Sequence, residues 1–175
     1  MSLIEFLKID KPGTYVEFGT ETGAEINTRY IRERLNWTGL LMDGSNENPA
    51  INLKKESIFH TNILELFEKY QVPLDLDLFS EDTDYADYWI VEKVLSKYKP
   101  KMLIHEVNQQ TSCVTVPKPV ALTFWDGSEF HGGSVCAFRC LAIASGYSMV
   151  YCESAGVKYE LDDLQRIESE ADLSD

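Results

Sequence analysis

Positive charge is scarce in this chain. Lysine and arginine number 16 against 29 aspartates and glutamates, a formal net charge of −13. A field of that sign repels phosphate backbones and excludes nucleic-acid binding through a broad basic face. Long apolar runs are missing too: none approaches the ~18 residues that a membrane helix needs, so no membrane partner is expected. The opening MSLIEFLKIDKPG carries acids where a secretion signal carries its basic region. The four cysteines, Cys113, Cys136, Cys140 and Cys152, include no CxxC pair. They read as reduced, mostly buried thiols of a cytoplasmic protein. Cys136 and Cys140, with His131, find no fourth metal ligand at fitting spacing and are assigned to core packing. No internal repeat and no linker interrupts the chain.

What is present fits one globular domain. Hydrophobic residues make up 44% and charged residues 26%, ordinary usage for a soluble fold. Residues 1–165 are read as a single domain, and 166–175, acidic and poor in large apolar groups, as a disordered tail. Strand and helix patterns alternate along it. Thr14–Gly19 is a short β-forming run ending on glycine, and Ala24–Leu35 follows with apolar residues at helical spacing. Thr38–Asp43 is a second strand, Pro49–Glu56 a short helix, and Ser57–Ile63 a third, weaker strand. Leu64–Tyr70 is helical, Leu76–Ser80 a fourth strand, Tyr88–Tyr98 a helix and Lys101–Val107 a fifth strand. An irregular stretch precedes a small-residue helix over Gly132–Ser145, and strands at Tyr147–Cys152 and Val157–Leu161 close the chain. This alternation predicts an α/β fold, a doubly wound, mostly parallel sheet with helices on both faces.

In such sheets ligands sit at the carboxyl ends of the strands, near the switch in strand order. The first strand ends Glu17-Phe18-Gly19-Thr20-Glu21-Thr22-Gly23. Gly19 permits a sharp turn, and Gly23 permits close approach of the following helix. A dinucleotide site wants G-x-G-x-x-G, but the middle glycine here is Glu21, whose charge would face the pyrophosphate. Glu17 suits an amino group, and Asp43, at the end of the second strand, suits both hydroxyls of a ribose. These acids favour S-adenosylmethionine, which carries an ammonium, a sulfonium and a ribose. An ordinary strand-to-helix glycine turn is the structural alternative.

The segments YVEFGTETG, NTRYIRERLNWTGLLMDG, DLFSEDTDYADYW, WDGSEFHGGS and GYSMVYCESAGV resemble class I S-adenosylmethionine-dependent methyltransferases, in particular an FkbM-like group. The resemblance covers about Gly13 to Val157. It implies a Rossmann-like, seven-stranded sheet of order 3-2-1-4-5-7-6 with the last strand antiparallel. It further implies that Glu17, Gly19 and Gly23 form the first cofactor motif, that Asp43 is the ribose-binding acid, and that Asn62 stands near the adenine.

The chemistry is expected in the acidic loop after the fourth strand, where Glu81, Asp82, Asp84 and Asp87 crowd together. Three readings stand side by side. The acids cap the following helix; or Asp82 or Asp84, with Glu106 and Asn108 from the end of the fifth strand, binds Mg²⁺; or Asp82 and Asp84 act as bases without metal. The metal layout is similar to that of metal-dependent O-methyltransferases. His131, in an aromatic and glycine-rich stretch, is a further candidate base; His105, inside a strand, is expected to be packed. The resulting expectation is a methyltransferase acting on an oxygen of a small molecule or sugar. A non-catalytic binding module of the same fold and an NAD-dependent oxidoreductase are the rivals.

Overall fold

The computed structural model describes residues 11–24, 26–107, 132–153 and 156–161. Seven strands, β1 (Thr14–Phe18), β2 (Thr38–Asp43), β3 (Leu53–Lys55), β4 (Leu78–Glu81), β5 (Met102–His105), β6 (Tyr147–Glu153) and β7 (Gly156–Leu161), form one sheet in the order 3-2-1-4-5-7-6. The first five run parallel, and β7 is antiparallel to both β5 and β6. This is the Rossmann-like sheet, in the strand order, that the resemblance implies.

Strand alternation divides the apolar residues between two faces. Val16, Phe18, Met42, Phe79 and Leu103 point to one face, where α2 (Ile63–Lys69), α3 (Asp87–Leu95) and α4 (Val135–Ala144) bury Phe67, Ile90, Val94 and Phe138 against them. Phe18, Phe67 and Phe79 meet edge to face at centroid separations of 5.3–6.0 Å, each pair worth about 1 kcal/mol beyond its buried area. Tyr15, Leu41, Leu53, Leu78 and Ile104 point to the other face, under Ile31 of α1 (Arg29–Arg34) and Trp37. With both faces covered, β4 and β5 are buried along their whole length, down to the polar residues Ser80, Glu81 and His105 at their carboxyl ends.

Several expectations are corrected. The helix after β1 spans only Arg29–Arg34. Glu17 takes the backbone N–H groups of Asn27 and Thr28, so the residues before the helix are held as a loop against β1. The third strand is Leu53–Lys55, and Pro49–Ile51 is a single 3₁₀ turn. As a sheet edge β3 buries only Leu53 and turns lysines outward, so it lacks the apolar signature of a strand. Cys136, Cys140 and Cys152 are exposed, not core. The buried side of α4 is Ala137, Phe138 and Ala142, and residues 136 and 140 fall on the opposite side of that helix. The tail 166–175 lies outside the described residues.

Candidate functional site

The strand order reverses between β1 and β4, and the loops that leave these two strands meet there. Gly19 has φ +67°, and a Cβ at this position would stand 1.6 Å from the carbonyl oxygen of Asp82. Only glycine tolerates both the dihedral and the contact. The turn continues from Thr20 to Gly23, closed by a 2.7 Å bond from Gly23 N–H to Thr20 C=O. Glu21 stands within it at φ +44° and Gly23 at φ +82°. Where a dinucleotide loop has its middle glycine, this chain keeps a left-handed backbone under a glutamate. Gly23 lets the loop pack on Ile51, which follows β2, and not the helix on the strand.

Beyond this contact a cleft of about 250 Å³ opens along the carboxyl edge of the sheet. Gly19, Asp43, Ser45, Glu56, Asp82 and Asp84 line it, with Ile58 and Phe59 as apolar wall. Asp43 ends β2, and its Oδ1 accepts from the N–H groups of Ser45 and Asn46 at 2.7 and 2.8 Å and from Asn46 Nδ2 at 2.9 Å. Among the described residues only Oδ1 is engaged, so Oδ2 is the atom available to a ligand. Glu56 follows β3. Lys69 and Tyr70 both donate to its Oε1, and these bonds, Lys69 first, hold its carboxyl below the usual range.

The acidic lip of the cleft comes from the loop after β4. Asp82, Asp84 and Glu106 each offer a carboxylate oxygen, and these oxygens lie within 4.8 Å of one another. Loss of solvation at the lip, then the charges of Glu106, Asp87 and Asp84, push the carboxyl of the exposed Asp82 up to about 7. Repulsion of this kind is relieved by a proton or by a cation. Helix capping by Asp82 or Asp84 is not what the loop does: the N-cap of α3 is Ala86, without a side-chain cap. Asp87 instead reaches back to Thr83 N–H at 2.7 Å.

Two expected cofactor residues are engaged elsewhere. Glu17 is buried and not in the cleft lining; one oxygen accepts Asn27 N–H, the other the N–H and hydroxyl of Thr28. Burial raises its pKa, and the hydrogen bonds from Thr28 and Asn27 act against the rise. Its role here is to shape the loop ahead of α1. Asn62 accepts from Phe59 N–H at 2.8 Å and donates to Ser57 C=O at 2.7 Å, bracing the 57–62 loop. Glu56 stands where Asn62 was expected, immediately after the third strand. A correctly placed β3 would have pointed to it. His105 is packed as expected, stacked on Phe138 at 3.9 Å, and burial lowers its pKa to about 3. Asn108 and His131 lie outside the described residues.

With the cleft at that switch, two solved methyltransferases share the outline. One is the crystal structure of methyltransferase CalO6, 14% identical at a TM-score of 0.48, covering 91% of this chain and 60% of that one. The other is a SAM-dependent methyltransferase from Aquifex aeolicus, 12% identical at a TM-score of 0.44, covering 90% of this chain and 88% of that one. This chain thus spans about three fifths of the CalO6 chain. No family model and no curated protein matches the sequence.

Proposed function

We propose that the cleft binds S-adenosylmethionine and that the protein methylates an oxygen of a small molecule or sugar. The observation that carries this reading is the charge of the cleft. Asp43, Glu56, Asp82 and Asp84 line it, and among the described residues no lysine, arginine or histidine does. A concave site of that sign, at the switch point of a parallel sheet, suits a ligand with an ammonium, a sulfonium and ribose hydroxyls. It opposes the pyrophosphate of a nicotinamide dinucleotide.

Asp43 accepts the ribose hydroxyls through Oδ2, and Gly19 gives the ligand room beside β1. Ile58 and Phe59 supply apolar surface for a base. Asp82, whose pKa stands near neutrality, takes the proton of the acceptor hydroxyl. His131 is a second candidate for that proton. Asp82, Asp84 and Glu106 also fit a hard cation such as Mg²⁺, as a set of close carboxylate oxygens. Such an ion, when bound, supplies Lewis acidity to an acceptor oxygen. Oxygen as the methyl acceptor comes from the FkbM-like resemblance.

Titration calorimetry with S-adenosylmethionine and with its demethylated product tests the reading. Both are expected to bind, and Asp43→Ala to weaken binding about tenfold or more, the worth of a charge-assisted hydrogen bond. Failure of either compound to bind at about 1 mM, a level that detects even weak sites, sinks the proposal. Unchanged affinity in the variant removes Asp43 from the site. Binding without methyl transfer to any hydroxyl acceptor would leave a binding module of the same fold.

A further inference from the structure

Beneath the acidic lip lies a group of side chains to which the proposed chemistry gives no role. Glu81, the last residue of β4, and Asp87, the first of α3, are both 1% exposed. Between them stands Thr83. Its hydroxyl is 2.8 Å from Glu81 Oε1 and 3.1 Å from Asp87 Oδ1, and its N–H donates to the same Asp87 oxygen at 2.7 Å.

Thr83 is thereby tied at two points. Its single hydroxyl proton faces Glu81 Oε1 at the shorter distance, and its N–H is committed to Asp87 Oδ1, so the residue bridges the end of β4 and the start of α3 through side chain and main chain at once.

The chain grips a loop that needs gripping. Asp84, next to Thr83, holds φ +67°, a left-handed conformation that costs an aspartate on the order of 1 kcal/mol. The helix that follows has no side-chain N-cap to anchor it. The other end of the loop is held by the Asp82 carbonyl against Gly19. We propose that Thr83 is the positioning residue of the acidic lip: held by Glu81 through its hydroxyl and by Asp87 through its amide, it sets where Asp82 and Asp84 stand. The claim that these acids then meet a cationic ligand rests on the function proposed above; the clasp itself does not.

Hydrogen exchange of the amides from Asp82 to Asp84, together with calorimetry using S-adenosylhomocysteine, tests the clasp in the full chain. Thr83→Val, an isosteric change, is expected to speed exchange in this loop about tenfold and to weaken S-adenosylhomocysteine by a similar factor, one lost buried hydrogen bond. Thr83→Ser restores both, and β1 and β2 amides stay protected throughout. Glu81→Gln, whose amide oxygen accepts the Thr83 hydroxyl in the same place, keeps the loop protected, and Glu81→Ala releases it. Should Thr83→Val not fold, the Glu81 pair decides alone. Equal exchange in Thr83→Val and Thr83→Ser, or in Glu81→Ala and the unsubstituted protein, overturns the inference. If the unsubstituted protein binds no S-adenosylhomocysteine while Thr83→Val still frees the loop, the clasp stands and the proposed function falls.

Discussion

At Asp82 a carboxyl faces Glu106 and Asp84 from the rim of the cleft, and its pKa of about 7 lies above the ~3.9 of an unfolded chain. Between roughly pH 4 and pH 7 the folded protein therefore binds more protons than the unfolded one. Stability contributed at this site is greatest at the acid end of that window and falls as pH rises through it. Asp82→Asn removes the penalty. It is expected to raise the melting temperature by about 2 °C near pH 8 and to give no gain near pH 4.5, as follows from about half a kcal/mol, the small worth that solvent screening leaves to an exposed charge, in a chain of this size. An equal gain at both pH values would show that the Asp82 charge carries no strain. If Asp82 takes the acceptor proton, the same variant loses turnover although it is more stable, the usual sign of a destabilised functional group. The crowding of acids was visible in the sequence at this scale. The meeting of Asp82 with Glu106 from the end of β5 was expected as well; that Asp87 points inward to Thr83 was not, because burial decides its direction.

Among the elements, the two loops that leave β1 and β4 meet at the strand-order switch beside the cleft, and Gly19 is where they touch. Gly19→Ala would place a methyl group 1.6 Å from the Asp82 carbonyl at a left-handed dihedral. Backbone cannot yield as a side chain does, so the variant is expected to lose about 3 kcal/mol or more, or not to fold. Chemical denaturation measures this, and a loss below about 1 kcal/mol would show that the two loops are not locked together. The reading of Gly19 as a turn glycine holds, and the reason for it sharpens: the residue admits a neighbouring loop as well as a turn. Glu17 went the other way. Its position at the strand end suggested a ligand contact, but a strand-terminal carboxylate also finds the free N–H groups of its own following loop, and here Asn27 and Thr28 take it. The third strand was misplaced for a related reason. An edge strand with one buried residue has no periodicity to detect, whereas the 57–63 segment has the apolar residues without the partner strand.

For the molecule as a whole, the charge of −13 and the acid-lined cleft have the same sign. S-adenosylhomocysteine at about a hundred times its dissociation constant should stabilise the fold by about 2.7 kcal/mol, raising the melting temperature by about 5–10 °C. NADH is expected to give no shift. Protection by NADH alone would favour the oxidoreductase reading. No helix among the described residues is long and apolar enough to cross a membrane.

The sequence by itself determined the order of elements, the glycine turn after β1, Asp43 at the end of β2 and the acidic segment after β4. These depend on local propensity, on alternation and on residues adjacent in the chain. Only the tertiary structure decided which of those residues share a cleft. Burial and hydrogen-bond partners are settled between distant segments, and so Glu17 and Asn62 are spent on their own loops, Glu56 enters the lining, and Thr83 stands between two buried acids. The loop after Glu17 keeps its place beside the cleft, but the acids that line it come from the ends of β2, β3 and β4.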